Sequence, residues 1–183
     1  MSIVYNKFKS YEINPNTEIL ILGTFSHDVK DGADFFFGKP RNYLWHLLPV
    51  CWGLPSLKEA PLSQKQSFMK THKVDFADII ESLEVPEGEE NNLDDVFIDQ
   101  HAHEWKDIIS LINQLSHLKA VYFTRKTFVG ITNAKAQIVQ IANHCKEKNL
   151  RFCKLETPAK YFDNIKQQQW IDTIVTQKTC MRI

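Results

Sequence analysis

The chain has 183 residues and no net formal charge, 22 Lys and Arg balancing 22 Asp and Glu. That length suits one domain with a proper core, held without disulfide or metal, and no apolar run approaches membrane-spanning length. Proteins dominated by phosphate contacts usually carry a basic excess, so the balance weighs against a nucleic-acid partner. It does not decide the matter: six carboxylates crowd Glu84 to Asp95 and leave the remaining surface net basic.

The chain opens Met1-Ser2-Ile3-Val4-Tyr5-Asn6-Lys7, without the cationic-then-apolar order of a signal peptide, so a cytoplasmic location is expected. The first strand is expected at Glu18 to Gly23. Its run Ile19-Leu20-Ile21-Leu22 ends in Gly23-Thr24-Phe25-Ser26, the pattern of a buried parallel strand that delivers its backbone to a ligand. A Gly-punctuated loop follows to Pro40, and Phe35-Phe36-Phe37 within it offer flat apolar faces. A helix from Asn42 to Cys51 starts on an amide side chain suited to a helix terminus. Strand tip, aromatic shelf and amide together suit a flat, hydrogen-bonding heterocycle such as a nucleobase.

Leu62 to Lys73 reads as an amphipathic helix, Val74 to Ile80 as a short strand or turn, and Glu84 to Asp95 as a solvated acidic loop. Trp105, Ile108, Ile109, Ile112 and Leu115 form a helical stripe over Trp105 to His117. Lys119 to Phe123 is a second buried strand. Lys126 to Lys148 reads as a helix despite Gly130, and Leu150 to Leu155 as a third strand. A loop from Glu156 to Asp163 and a closing helix from Asn164 to Thr176 complete the chain. The four cysteines, Cys51, Cys145, Cys153 and Cys180, contain no Cys-x-x-Cys pair and are expected as reduced thiols, Cys51 and Cys153 in the core.

Strands separated by helices imply parallel pairing through right-handed crossovers. The expected fold class is α/β, a three-layer α/β/α sandwich around a central, mostly parallel four-stranded sheet. Ligands in such folds gather beyond the carboxyl ends of the strands, here Gly23-Thr24-Phe25, Thr124-Arg125-Lys126 and Glu156-Thr157-Pro158-Ala159.

Gly23-Thr24-Phe25-Ser26, the aromatic cluster, Gly38-Lys39-Pro40-Arg41-Asn42-Tyr43-Leu44-Trp45 and Thr157-Pro158-Ala159 resemble the motifs of the uracil-DNA glycosylase superfamily, most closely its hypoxanthine-DNA glycosylase and mismatch-specific branch. Order and spacing match over Glu18 to Trp52 and Leu150 to Trp170, and more weakly between. The resemblance implies a single domain over residues 1–183 that hydrolyses the N-glycosidic bond of a deaminated base, uracil or hypoxanthine, flipped out of DNA. It implies a monofunctional enzyme with DNA as partner, no cofactor, no membrane, and a monomeric state.

By the same resemblance, Asn42 is the catalytic residue that positions water and contacts the base, and Phe37 stacks on the base. Gly23, Thr24, Phe25 and Thr124 line the substrate pocket. Thr157, Pro158, Ala159 and Lys160, with Lys39 and Arg41, meet the DNA backbone. On residue types alone, Asn42 serves equally as a helix cap, the phenylalanines as core anchors, the lysines as solvated surface and Thr124 as a satisfied turn residue.

Several residues depart from the family pattern. Ser26 replaces a rigidifying Pro, which predicts a more flexible first motif. Lys39 stands where His is usual, and Leu155 where uracil-removing members place a His. Glu156 puts negative charge beside the expected phosphate contact. A catalytically degenerate member that binds nucleic acid or a nucleobase without cleavage is therefore the alternative, and an unrelated α/β protein the plainest reading. His101, His103 and Glu104 lack a matching third ligand, and Asp94, Asp95 and Asp99 lack a calcium-loop pattern, so no metal is assigned.

Overall fold

The structure is a computed structural model that describes residues 1–28 and 33–176. Its first half runs β1 (Ser2–Tyr5), β2 (Ile19–Gly23), α1 (Leu44–Val50), α2 (Leu62–His72), β3 (Val74–Asp78) and β4 (Ile80–Val85). The second half runs α3 (Asp95–Gln100), β5 (Ala102–Trp105), α4 (Ile108–Gln114), β6 (Ala120–Phe123), α5 (Thr132–Glu147), β7 (Arg151–Lys154) and α6 (Asn164–Ile174).

The central sheet has the order β3-β2-β6-β7 with every pairing parallel. Strand β2 supplies the middle because its apolar residues are buried on both faces, Leu20, Ile21 and Leu22 all at zero exposure. Alternation along the strands then sorts the helices. Leu20, Leu22, Val121 and Phe123 pack with Ile108 and Ile112 of α4 and with Ile138 and Ile141 of α5. Ile21, Phe76 and Tyr122 face the opposite way, against Trp45 and Leu48 of α1, Phe68 of α2 and Trp170 of α6. The expected three-layer α/β/α sandwich is what the chain adopts.

The main differences from the sequence reading lie between β3 and α5. Val74 to Asp78 is a full strand of the parallel sheet, and the chain then leaves that sheet at Ile79. Strand β4 pairs antiparallel with β1 and with β5, in a second sheet of order β1-β4-β5. Glu84 and Val85 are thus strand rather than loop, and Trp105 ends β5 instead of opening a helix. Helix α4 starts later because Asp107 caps it, accepting from the Ser110 N–H at 2.9 Å. Likewise α5 starts at Thr132, beyond Gly130 in the left-handed region (φ 76°). Its exposed N–H groups at Asn133 and Ala134 are met by the buried carboxylate of Asp99 at 3.0 and 2.6 Å; that cap comes from α3, not from the local sequence.

Cys51 and Cys145 are free and buried, and burial pushes each thiol up to about 12. Cys153 departs from the expected reduced state, being disulfide-bonded. Cys180 lies outside the described residues. No helix among them is long and apolar enough to cross a membrane.

Candidate functional site

Parallel register places one set of strand ends together. Gly23 of β2 lies beside Asp78 of β3, and Leu22 beside Phe123 of β6, which is in turn beside Lys154 of β7. Beyond these ends opens a cleft of about 250 Å³. Gly23, Thr24, Phe25, Phe37, Lys39, Asn42, Thr124, Thr157, Pro158 and Ala159 all line it. Of the residues expected from sequence, Arg41 and Lys160 stay outside this lining; both are exposed, and Lys160 N–H donates to Arg41 O at 2.9 Å.

Asn42 is half-buried just ahead of α1. Its Oδ1 accepts from the Leu44 N–H at 3.0 Å, which leaves the second lone pair of that oxygen and the NH2 group for other partners. Main-chain bonds fix the residue against the loop after β7. Asn42 and Ala159 form an antiparallel bridge, and Tyr43 N–H donates to Pro158 O at 2.8 Å. The Asn42 loop and the Thr157 loop are therefore one rigid edge of the cleft.

The aromatic cluster divides its labour. Phe35 and Phe36 are buried among Phe8, Tyr11 and Phe76. Phe37 remains half-exposed at the cleft, its ring edge-to-face on Phe76 at 5.6 Å. Its backbone is left-handed (φ 55°), a conformation that costs a bulky residue on the order of 1–3 kcal/mol and persists only where the surroundings impose it. Gly23 permits this packing: a Cβ there would lie 2.2 Å from Asp78 Oδ1 and 3.1 Å from Phe37 Cζ.

Asp78 is the site residue that the sequence reading missed. It is 7% exposed at the cleft floor. Asn6 Nδ2 donates to its Oδ2 at 3.0 Å, and Ser26 bonds to it through both side chain and backbone. Burial nevertheless pushes its pKa up. The available signal was a carboxylate inside an otherwise apolar strand, Val74-Asp75-Phe76-Ala77-Asp78. Ser26 also corrects an expectation: in place of a flexible joint it ties the first motif to Asp78.

Thr124 Oγ1 donates to Leu22 O at 3.0 Å, so it is a satisfied turn residue as well as a lining one. Leu155 is wholly buried core. Two cations beside the cleft are paired within the protein: Arg125 with Asp95, and Lys126 with Glu156 at 3.3 Å. Asp94 caps α3 and Asp99 caps α5, and no group of three or more His, Cys, Asp or Glu able to hold a metal ion occurs among the described residues.

No protein-family model matches this chain, and no curated protein does. Among solved structures it is similar to the solution NMR structure of a provisionally named uracil DNA glycosylase from Methanosarcina acetivorans. The two superpose with a TM-score of 0.59 at 17% identity, over 87% of this chain and 89% of that one. The likeness is one of fold.

Proposed function

We propose that the protein is a DNA glycosylase that hydrolyses the N-glycosidic bond of a deaminated base flipped from the helix. The observation that carries this reading is the cleft itself, in which Asn42, Phe37 and the main chain of Gly23 and Thr24 converge at the carboxyl ends of the sheet. At about 250 Å³ it falls just under the range of roughly 300–1,000 Å³ usual for small-molecule sites, a size that suits one heterocycle. The similar fold of a provisionally named uracil DNA glycosylase supports the same reading.

A base in a duplex hides its glycosidic bond, so it must leave the stack before it can react. Phe37 then offers a π-face to the extruded base. As the bond stretches, the sugar gains oxocarbenium character and the base leaves as an anion. Water attacks the sugar carbon, its proton ends on solvent or the departing base, and an abasic site remains. Asn42 is too weak a base to take that proton. Its amide acts by holding the water in line and by donating to the base, which is positioning and electrostatic work. Asp78, tied to Asn6 and Ser26, fixes the first motif at the cleft floor, where the polar edge of the base would lie.

The second reading, a binder without cleavage, is favoured by one observation: the cations Arg125 and Lys126 beside the cleft already have carboxylate partners. A gel assay of alkali-induced strand cleavage separates the two, using oligonucleotides with uracil, hypoxanthine or xanthine, single-stranded and mispaired. The expected outcome is cleavage at one of these bases that falls by about 10²–10³ in Asn42→Ala. Cleavage that survives Asn42→Ala removes Asn42 from the chemistry, and a folded wild type that cleaves nothing leaves the binder.

A further inference from the structure

A second cavity lies at the other end of the central sheet, where β2 and β3 begin. Strand β2, five residues long at about 3.3 Å per residue, sets it about 16 Å from the cleft. It has two lobes of about 230 Å³ each, and Asn14, Asn16, Lys70 and Lys73 border both. The inner lobe rests on buried Thr17, Met69, Val74 and Asp75, with Tyr11 and Gln66 beside them. The outer lobe opens past His117.

The rim carries more positive charge than the fold uses. Lys73 and Lys119 share one carboxylate, Glu18, which leaves one charge over. Lys70 has no carboxylate within ion-pair distance among the described residues, and it adds a second. Lys70 and Lys73 lie at the end of α2, whose carbonyl dipoles offset only about half a charge. Asp75 lies below them, but burial pushes its pKa up and so disfavours its charge. Hydrogen-bonding capacity is left over as well. Asn14 Oδ1 accepts from the Asn16 N–H at 2.9 Å and its NH2 group stays free. The side-chain amides of Asn16 and Gln66 have no partner among the described residues. The Thr17 hydroxyl, on a residue 1% exposed, lies beside Asp75 and completes no hydrogen bond of ordinary geometry. A buried hydroxyl left in that state is costly, and solvation of a surface depression does not account for it.

We propose that this groove is a second ligand site, which takes a phosphate monoester carrying a planar, hydrogen-bonding body, the chemistry of a nucleoside monophosphate. A phosphate monoester carries a charge of about −2 at neutral pH, which matches the surplus at Lys70 and Lys73. A lysine serves such a head as a point charge and needs no planar fork. Asn14, Asn16 and Gln66 present amide donors and acceptors, the groups that pair with the edges of bases. Met69 and Val74 supply an apolar floor for the body. The two lobes together fall within the range of roughly 300–1,000 Å³ usual for small-molecule sites. The site stands apart from the cleft, so its occupation does not depend on the reaction proposed there.

The test is a titration of isotope-labelled protein with adenosine monophosphate and uridine monophosphate, read by amide NMR shifts up to about 10 mM ligand. Adenosine, uridine and inorganic phosphate serve as controls, with melting curves for each variant. Expected are saturating shifts at Asn14, Asn16, Lys70 and Lys73 with at least one nucleotide. The matching nucleoside and phosphate alone should each bind about tenfold more weakly or worse. Lys70→Glu should weaken the nucleotide by about tenfold, the scale of one charge-assisted contact. Asn16→Ala combined with Gln66→Ala should weaken it by about fivefold. All three side chains are exposed, so these variants keep the fold. Shifts confined to the cleft, at Phe37 to Asn42, overturn the proposal, as does the absence of any shift. Phosphate that binds as tightly as either nucleotide also overturns it, since the groove is then an unselective basic patch. A folded Lys70→Glu within about twofold of wild type does the same.

Discussion

Asn42 joins two roles in one amide. Its Oδ1 caps the Leu44 N–H, and loss of such a bond typically costs about 1 kcal/mol. Its presence in the cleft is what the proposed chemistry needs, so Asn42→Ala alone confounds the two. Asn42→Ser separates them, because a serine hydroxyl caps but cannot reach as far as the amide. Expected is a melting temperature near wild type with cleavage as low as in Asn42→Ala; a Ser variant with wild-type cleavage would reduce Asn42 to a cap. Phe37 makes a parallel case. Removal of its ring by Phe37→Ala should weaken binding of an extruded base by about 10- to 100-fold, the usual worth of one base–aromatic stack. A stopped-flow signal from 2-aminopurine beside the target base reads that step directly, and an unchanged signal would place the stack elsewhere. The placement of Asn42 and Phe37 at the cleft was legible in the chain because their motif is contiguous. Asp78 was not, because its partners Asn6 and Ser26 lie 72 and 52 positions away in sequence, and only folding shows that its carboxylate is satisfied.

Among the elements, β2 and β6 were legible because each is a short apolar run bounded by breakers and buried on both faces, and β7, Arg151-Phe152-Cys153-Lys154, through Phe152 and Cys153 with the flanking Leu150 and Leu155. The small sheet was not. Strand β5 reads Ala102-His103-Glu104-Trp105, with the adjacent His103 and Glu104 both exposed, so neither periodicity nor apolarity marks it. Strand β3 reads equally as strand or turn because it contains Asp75, whose carboxylate is met by Tyr11 O–H at 2.9 Å and Asn14 N–H at 2.8 Å from a distant segment. At the opposite end of the sheet from the cleft, Glu18 joins three strands. It precedes β2 and accepts from Lys73, just before β3, at 2.6 Å and from Lys119, just before β6, at 2.5 Å. Those two bonds hold its pKa down at about 2, against an ordinary 4.5. A folded-state value below the unfolded one stabilises the fold above the unfolded pKa, and that contribution disappears as pH falls through the window toward 2. Glu18→Gln should therefore melt earlier at neutral pH and show a shallower loss of stability between about pH 4.5 and pH 2. Identical acid slopes for variant and wild type, in denaturant titrations across that window, would show the joint to be too well solvated to matter.

At the scale of the whole molecule, a net charge of zero conceals an arrangement. The acidic run from Glu84 to Asp95 ends where α3 begins, and Asp95 reaches across to Arg125 at the end of β6, both residues lining the cleft. DNA that enters there must either leave that pair intact or exchange the carboxylate for a phosphate. Exposed ion pairs are worth about 0–1 kcal/mol, so exchange is feasible, and it would weaken binding by up to about fivefold relative to an unpaired Arg125. Asp95→Asn keeps the side-chain shape and gives up only the small benefit of a negative group in the first turn of α3. If phosphate takes the place of the carboxylate, this variant binds an abasic-analogue oligonucleotide more tightly than wild type at low salt. The difference shrinks as the Debye length falls to about 8 Å at physiological ionic strength. An unchanged or weaker affinity would mean that Arg125 serves to fasten α3 to the sheet rather than to meet a phosphate.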